Sequence, residues 1–234
     1  MQEKETAVVV AGGVGKRMGS SVPKQYLPLL GRPVLYYSLA AFQKSPVTDI
    51  VLVAAEGYLD YCKTEIVEKY GLSKVKKIVP GGKERFDSVY RGLLAAEGAD
   101  YVYIHDGARP GLSLELVDTL RQQVREYQAV TAAVPVKSTI KAAGEDGFAC
   151  ATLDRDTLWD IQTPQAFSYP LIRGAYQKMM QAQHSDVTDD TMVAERFAGQ
   201  RVKLCMGSYS NFKVTTPEDL VMMEALLASK TAQP

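Results

Sequence analysis

The sequence predicts an α/β protein, a Rossmann-like, mostly parallel sheet flanked by helices, with a β-hairpin arm at about 136–154. Short apolar, largely β-branched runs recur at 7–10, 50–54, 75–79, 101–105 and 130–134, as strands buried on both faces do. Helical patterns stand between them. Phe86, Val89, Tyr90, Leu93 and Leu94 keep three- and four-residue spacing, as do Leu116, Val117, Leu120, Val124 and Tyr127, so each set lies on one helix face. Strand and helix alternating in this way make a parallel sheet.

The order changes after Pro135. Two alternating stretches, 138–143 and 148–153, flank Gly144-Glu145-Asp146-Gly147, the signature of a hairpin. An arm this long with little to cover it suggests packing on a second subunit, hence a homodimer; an ordinary hairpin on the parent domain fits the residues equally well. Helical patterns at 171–179 and 189–197, a strand at 202–206 and a closing helix after Pro217 complete the chain. With 234 residues, 46% of them hydrophobic, and no repeat or interdomain linker, residues 1–234 read as one domain with a protruding arm.

Charge narrows the partners. Lys plus Arg and Asp plus Glu both number 27, so no global field draws a nucleic acid, and anion binding must be local. Cys62, Cys150 and Cys205 are widely spaced and only His105 and His184 add imidazoles, which argues against zinc or a disulfide framework. The polar start of the chain and the absence of an apolar run near the roughly 20 residues of a bilayer span predict no membrane association and a cytoplasmic location.

The first predicted strand runs into Ala11-Gly12-Gly13-Val14-Gly15-Lys16-Arg17-Met18. Glycines here let several backbone N–H groups face one anion. A dinucleotide fingerprint would need glycine at Met18, and a Walker loop would need glycine at Val10 and a hydroxyl residue at Arg17; neither pattern holds. Lys16, Arg17 and then Lys24 on the proline-stiffened Pro23-Lys24-Gln25-Tyr26 turn would surround a triphosphate with positive charge. This points to a nucleotidyltransferase.

Further candidates follow the later strands. Gly82 and Ser88 flank a helix start, where backbone and hydroxyl can converge on a base edge, or Ser88 can simply bind nearby backbone. Asp106 ends a strand, where open α/β sheets place ligands; it is the candidate Mg²⁺ carboxylate, with a ribose or substrate hydroxyl as the alternative partner. Arg109 stands three residues on, able to point into the same cleft, while His105 is read as a packed imidazole rather than a metal ligand.

The run AGGVGKRMG followed by PKQYLPLLGRPVL resembles the signature of sugar and polyol-phosphate nucleotidyltransferases. Later motifs, Gly81-Gly82-Lys83-Glu84-Arg85 with Ser88, His105-Asp106-Gly107-Ala108-Arg109-Pro110, Pro135-Val136-Lys137-Ser138-Thr139, Asp154-Arg155, Gln162-Thr163-Pro164-Gln165, Val187-Thr188-Asp189 and Asn211-Phe212-Lys213-Val214-Thr215, narrow the resemblance to the 2-C-methyl-D-erythritol 4-phosphate cytidylyltransferases. The resemblance implies that Ala11, Gly12, Gly13, Gly15, Lys16, Gly82, Ser88, Asp106 and Gly107 bind CTP, and that Arg17 and Lys24 carry the transfer. It further implies that Arg155 and Lys213 hold the phosphate of the attacking polyol phosphate, with Thr139, Arg109, Thr163 and Thr188 around them. Exchange of the arm would make Thr139 and Arg155 complete the neighbouring subunit's site. Lys83 departs from the aspartate common at that position, leaving its contact to the base open.

A ribitol 5-phosphate cytidylyltransferase is the nearest alternative, favoured by Gly12 where the methylerythritol enzymes commonly carry alanine. HDGARP and PVKSTIK favour the methylerythritol acceptor. A non-catalytic nucleotide-binding protein is disfavoured, because it would not need cations for both the leaving group and the acceptor.

Overall fold

The computed structural model describes residues 3–13, 22–182 and 186–231. In chain order the elements are β1 (Glu5–Ala11), a 3-10 turn (Lys24–Tyr26), a small hairpin of β2 (Pro28–Leu29) and β3 (Arg32–Pro33), α1 (Val34–Lys44), β4 (Asp49–Ala54), and α2 (Leu59–Tyr61), continued by a π-helical stretch (Cys62–Glu68). There follow β5 (Val75–Pro80), α3 (Arg85–Ala95), β6 (Tyr101–Asp106), α4 (Leu114–Tyr127), β7 (Ala129–Pro135) and the arm strands β8 (Lys141–Ala143) and β9 (Ala149–Thr152). The chain closes with β10 (Trp159–Ser168), α5 (Tyr169–Gln181), α6 (Asp190–Ala198), β11 (Lys203–Met206) and α7 (Pro217–Thr231).

Seven strands form one sheet in the order β11-β7-β10-β6-β1-β4-β5. β1 is parallel to β4 and β6, β4 to β5, and β11 to β7, while β10 is antiparallel to both its neighbours. All five strands expected before the arm are present. The period of two then builds two cores. Ala7, Val9 and Ala11 face Leu35, Leu39 and Phe42 of α1 and Leu116, Val117 and Leu120 of α4; Val8 faces Val89 and Leu93 of α3, Tyr176 of α5 and Val193 of α6. Burial on both faces explains why β1, β4, β6 and β7 read as continuous apolar runs, whereas β5, at the sheet edge, carries Lys76 and Lys77 and no buried residue.

β10 has no such signature. Its Gln162, Thr163 and Gln165 are buried, Pro164 sits mid-strand after a cis peptide bond, and the register shifts between Ile161 and Gln165. Proline is tolerated inside a sheet at such an irregularity, where the ladder is already broken. The buried amides are satisfied: Gln165 Oε1 accepts the N–H groups of Asp190 and Thr191 at 2.9 and 3.1 Å, and its Nε2 donates to Asp189 at 2.8 Å.

The strand order reverses around β1. The chain steps from β1 to β4 and β5 on one side, and α3 then returns it to β6 on the other. Loops leaving the carboxyl ends of β1 and β6 therefore diverge and open a crevice. The arm forms as expected but with shorter strands, paired from Lys141 to Thr152, and Phe148 at its tip is 76% exposed. No helix among the described residues is long and apolar enough to cross a membrane.

Candidate active site

Two cavities adjoin at this crevice. The first, about 390 Å³, is lined by Ala11, Gly12 and Gly13 after β1, by Lys24 and Gln25, by the 82–85 loop after β5, and by Ser88, Asp106 and Lys213. Gln25 is buried, and its Nε2 donates to the carbonyls of Ala11 and Gly13 at 2.7 and 2.8 Å. One amide thus fastens the glycine segment to the turn that presents Lys24. Gly15, Lys16 and Arg17 lie outside the described residues.

Across the cavity, Gly82 N–H donates to Ser88 Oγ at 3.0 Å, and Ser88 Oγ donates to the Glu84 carbonyl at 3.2 Å. The hydroxyl is satisfied by backbone and also lines the cavity. Glu84 and Asp87 form a capping box on α3, which satisfies N-terminal donors reciprocally. A Cβ on Gly82 would lie 2.2 Å from Asp87 Cβ, so only glycine fits there. Lys83 is exposed on the cavity wall.

The second cavity, about 550 Å³, is lined by Arg109, Thr131, Asp160, Gln162, Thr163, Gln165, Thr188 and Asp189, among others. Arg85, Asp106 and Lys213 line both cavities. Asp106, only 7% exposed, accepts from Arg85 Nε at 3.1 Å through Oδ1 and from Lys213 Nζ at 2.8 Å through Oδ2, with Arg109 Nε 3.7 Å away. Burial alone would raise its pKa; the charges of Arg85, Lys213 and Arg109 outweigh burial and hold the carboxyl well below the usual range. Arg85 grips Asp190 through both terminal nitrogens, at 3.0 and 2.8 Å.

Other predicted residues fall into different places. Asp106 N–H donates to Thr163 Oγ1 at 3.0 Å, leaving the threonine proton for His105 Nδ1, also 3.0 Å away. His105 Nε2 then faces the Arg109 carbonyl at 3.4 Å. Burial holds this imidazole neutral, with its pKa down to about 3, as befits the packed role expected for it. Thr163, 4% exposed, braces the end of β6 from the wall of the second cavity; Thr188 is exposed on that wall. Arg109 Nη1 donates to the Asn211 carbonyl at 3.0 Å, which ties the 211–213 segment to the site. Gly107 is buried, donates its N–H to Val10 O at 2.8 Å and lines neither cavity. Thr139 and Arg155 are exposed on the arm and also line neither cavity; Arg155 Nη1 donates to the Lys137 carbonyl at 3.1 Å.

Sequence reading had not assigned roles to Gln25, Arg85 or Asp190. Gln25 lies in Pro23-Lys24-Gln25-Tyr26, Arg85 ends Gly81-Gly82-Lys83-Glu84-Arg85, and Asp190 directly follows Val187-Thr188-Asp189, so adjacency to a motif is their only signal in the sequence.

Known proteins resemble the chain over nearly its whole length. The model of the 2-C-methyl-D-erythritol 4-phosphate cytidylyltransferase family matches residues 6–229. A curated protein of that name from Lachnospira eligens is 49% identical over 217 residues, covering 92% of this chain and 95% of its own; one from Lachnoclostridium phytofermentans is 46% identical over 225 residues, covering 96% and 97%. Among solved structures, the 4-diphosphocytidyl-2C-methyl-D-erythritol synthase of Anaerococcus prevotii superposes with a TM-score of 0.84 at 34% identity, covering 97% of this chain and 96% of that one. The Thermus thermophilus 2-C-methyl-D-erythritol 4-phosphate cytidylyltransferase gives 0.78 at 29% identity, covering 94% and 98%. A match over nearly the whole length, in sequence and in fold alike, means that the chain belongs to the 2-C-methyl-D-erythritol 4-phosphate cytidylyltransferase family.

Proposed function

We infer that this enzyme transfers a cytidylyl group from CTP to 2-C-methyl-D-erythritol 4-phosphate, giving 4-diphosphocytidyl-2-C-methyl-D-erythritol and pyrophosphate, a step toward isoprenoid precursors by the non-mevalonate route. One observation carries the reading. Arg85, Asp106 and Lys213 are a wall shared by a glycine-lined cavity and a cavity rich in hydroxyl, amide and carboxylate groups, so a nucleotide in the first and a polyol phosphate in the second would meet there.

The acceptor's phosphate oxygen attacks the α-phosphorus of CTP. A new P–O bond forms, the bond from the α-phosphorus to the bridging oxygen breaks, and pyrophosphate leaves with the electron pair. The nucleophile is already anionic, so no side-chain base is needed; the obstacle is repulsion among anions. Lys24 and Arg17 meet charge developing at the α-phosphate and leaving group, and Lys213 takes the acceptor phosphate.

Among the described residues no three His, Cys, Asp or Glu side chains gather to hold a metal. Asp106 nevertheless fits Mg²⁺, which binds proteins through one or two carboxylates plus substrate phosphates: a carboxylate has about four acceptor positions, and Arg85 and Lys213 occupy one on each oxygen. The ion would neutralise triphosphate oxygens there.

Exposed Thr139 and Arg155 have a place in this scheme if the arm crosses to a second copy and completes its acceptor cavity. Pyrophosphate release is the test. It should require CTP, Mg²⁺ and methylerythritol 4-phosphate together; equal release with ribitol 5-phosphate would overturn the acceptor, and no release with either would overturn the transfer.

A further inference from the structure

The guanidinium of Arg85 uses all three nitrogens: Nε on Asp106 Oδ1 at 3.1 Å, and the terminal pair on Asp190 Oδ1 and Oδ2 at 3.0 and 2.8 Å. Asp190 is fully buried in the first turn of α6. It also accepts the hydroxyl of Tyr176, itself fully buried, at 2.5 Å, and its backbone N–H is held by Gln165. A continuous set of contacts therefore runs from α5 through α6 and the start of α3 to the end of β6. Burying a carboxylate this completely is costly unless it is paired and hydrogen-bonded, and what this pairing holds still is the cation behind Asp106. Lys213 differs: its side chain is 37% exposed, and it can leave Asp106 for a substrate phosphate.

We propose that Arg85, clamped by Asp190, is a positioning residue for the transfer step, holding the Asp106 carboxylate in place between the nucleotide and acceptor cavities when Lys213 turns to the substrate. The proposal rests on the cytidylyl-transfer reading above. A bidentate fork does this and an ammonium does not, because lysine cannot reach both carboxylates with fixed geometry.

The experiment compares Arg85→Lys, Asp190→Asn and Tyr176→Phe with the unmodified enzyme. Pyrophosphate release with CTP, Mg²⁺ and methylerythritol 4-phosphate is measured alongside thermal midpoints on the same preparations. Arg85→Lys and Asp190→Asn should lower kcat by about 10- to 100-fold, as small misplacements of reacting groups do, with KM for CTP within about threefold. Tyr176→Phe removes one hydrogen bond, keeps the fold and should lower kcat by about threefold. If Asp190→Asn fails to fold, the other two variants decide.

Full kcat in Arg85→Lys would overturn the proposal. So would lower midpoints with unchanged kcat per folded molecule, the mark of a merely structural network, or a loss confined to KM. Inactivity of the unmodified enzyme under the same conditions would instead remove the transfer reading, and the Arg85 role with it.

Discussion

Lys24 and two glycines shape the first cavity one residue at a time. Lys24 lines the first cavity on a turn that Gln25 ties to the glycine segment, so its truncation should leave the fold intact. Lys24→Ala is expected to lower kcat by about 10²- to 10³-fold, the loss typical of a preorganised transition-state donor; near-native turnover at saturating CTP and Mg²⁺ would remove that role. Gly12 touches Ser88 and Gly81, where an added Cβ would stand 3.3 and 3.5 Å away. It belongs to the first cavity and not the second, so its identity says little about the acceptor. Gly12→Ala should be tolerated at small cost, because only Ser88 Oγ must give by a few tenths of an ångström, whereas Gly82→Ala, with its 2.2 Å clash, should cost about 1–3 kcal/mol as overpacking does and raise KM for CTP. Denaturant melts and CTP titrations of the pair check both.

Among the elements, β1 joins two ends of the sheet with different tasks. Its carboxyl end feeds the cavity, and its first residue, Glu5, is buried beneath α4. Glu5 accepts from Arg121 at 2.6 and 2.7 Å, from Arg125 at 2.7 Å and from the Tyr103 hydroxyl at 2.6 Å. Burial pushes its pKa up, but the hydrogen bonds from Arg121, Tyr103 and Arg125 bring it below its ordinary 4.5. Because the folded pKa is the lower one, the unfolded chain binds more protons in that window. The stabilisation is thus complete above pH 4.5 and is lost as pH falls through the folded value. Glu5→Gln should cost about 3 kcal/mol at neutral pH, the low end for a broken buried pair since both guanidiniums keep solvent contact, and should flatten the acid limb of stability measured by urea melts. An acid limb unchanged in the variant would assign that loss to other carboxylates. The sheet edges follow similar logic. β5 carries Lys76, Lys77 and a terminal Pro80, and β11 carries Lys203, features that discourage edge-to-edge pairing.

For the whole molecule the open question is whether the arm meets a second copy. Phe148 at 76% and Leu153 at 41% exposure leave apolar surface on the arm, and Arg155 and Thr139 stand outside both cavities of their own chain. If arms are exchanged, Arg155→Ala and Lys24→Ala damage opposite parts of a composite site. Mixing the two inactive variants after dissociation should then restore about a quarter of unmodified activity, because half of the dimers are mixed and each has one intact site. Light scattering gives the oligomeric state alongside. No restoration from a confirmed mixed dimer would leave each site within one chain.

Much of this was readable along the chain. The five parallel strands before the arm, the helices between them, the hairpin and Asp106 at a strand end were all legible, because periodicity and turn chemistry act over a few residues and leave local marks. β10 was not, since its middle is glutamine, threonine and proline. Such residues enter a sheet only when partners from elsewhere satisfy them: here the start of α6 meets Gln165, and Asp106 and His105 meet Thr163. Gly107, expected at the nucleotide, donates its N–H to the Val10 carbonyl, and Arg85, at the end of the Gly81-Gly82-Lys83-Glu84-Arg85 motif, joins Asp106 to Asp190. Local pattern marks where the chain turns and which face is apolar. Where a polar side chain ends depends on which charges and amides the fold brings beside it, and residues 85, 106, 190 and 213 become neighbours only when the sheet has closed its order around β1.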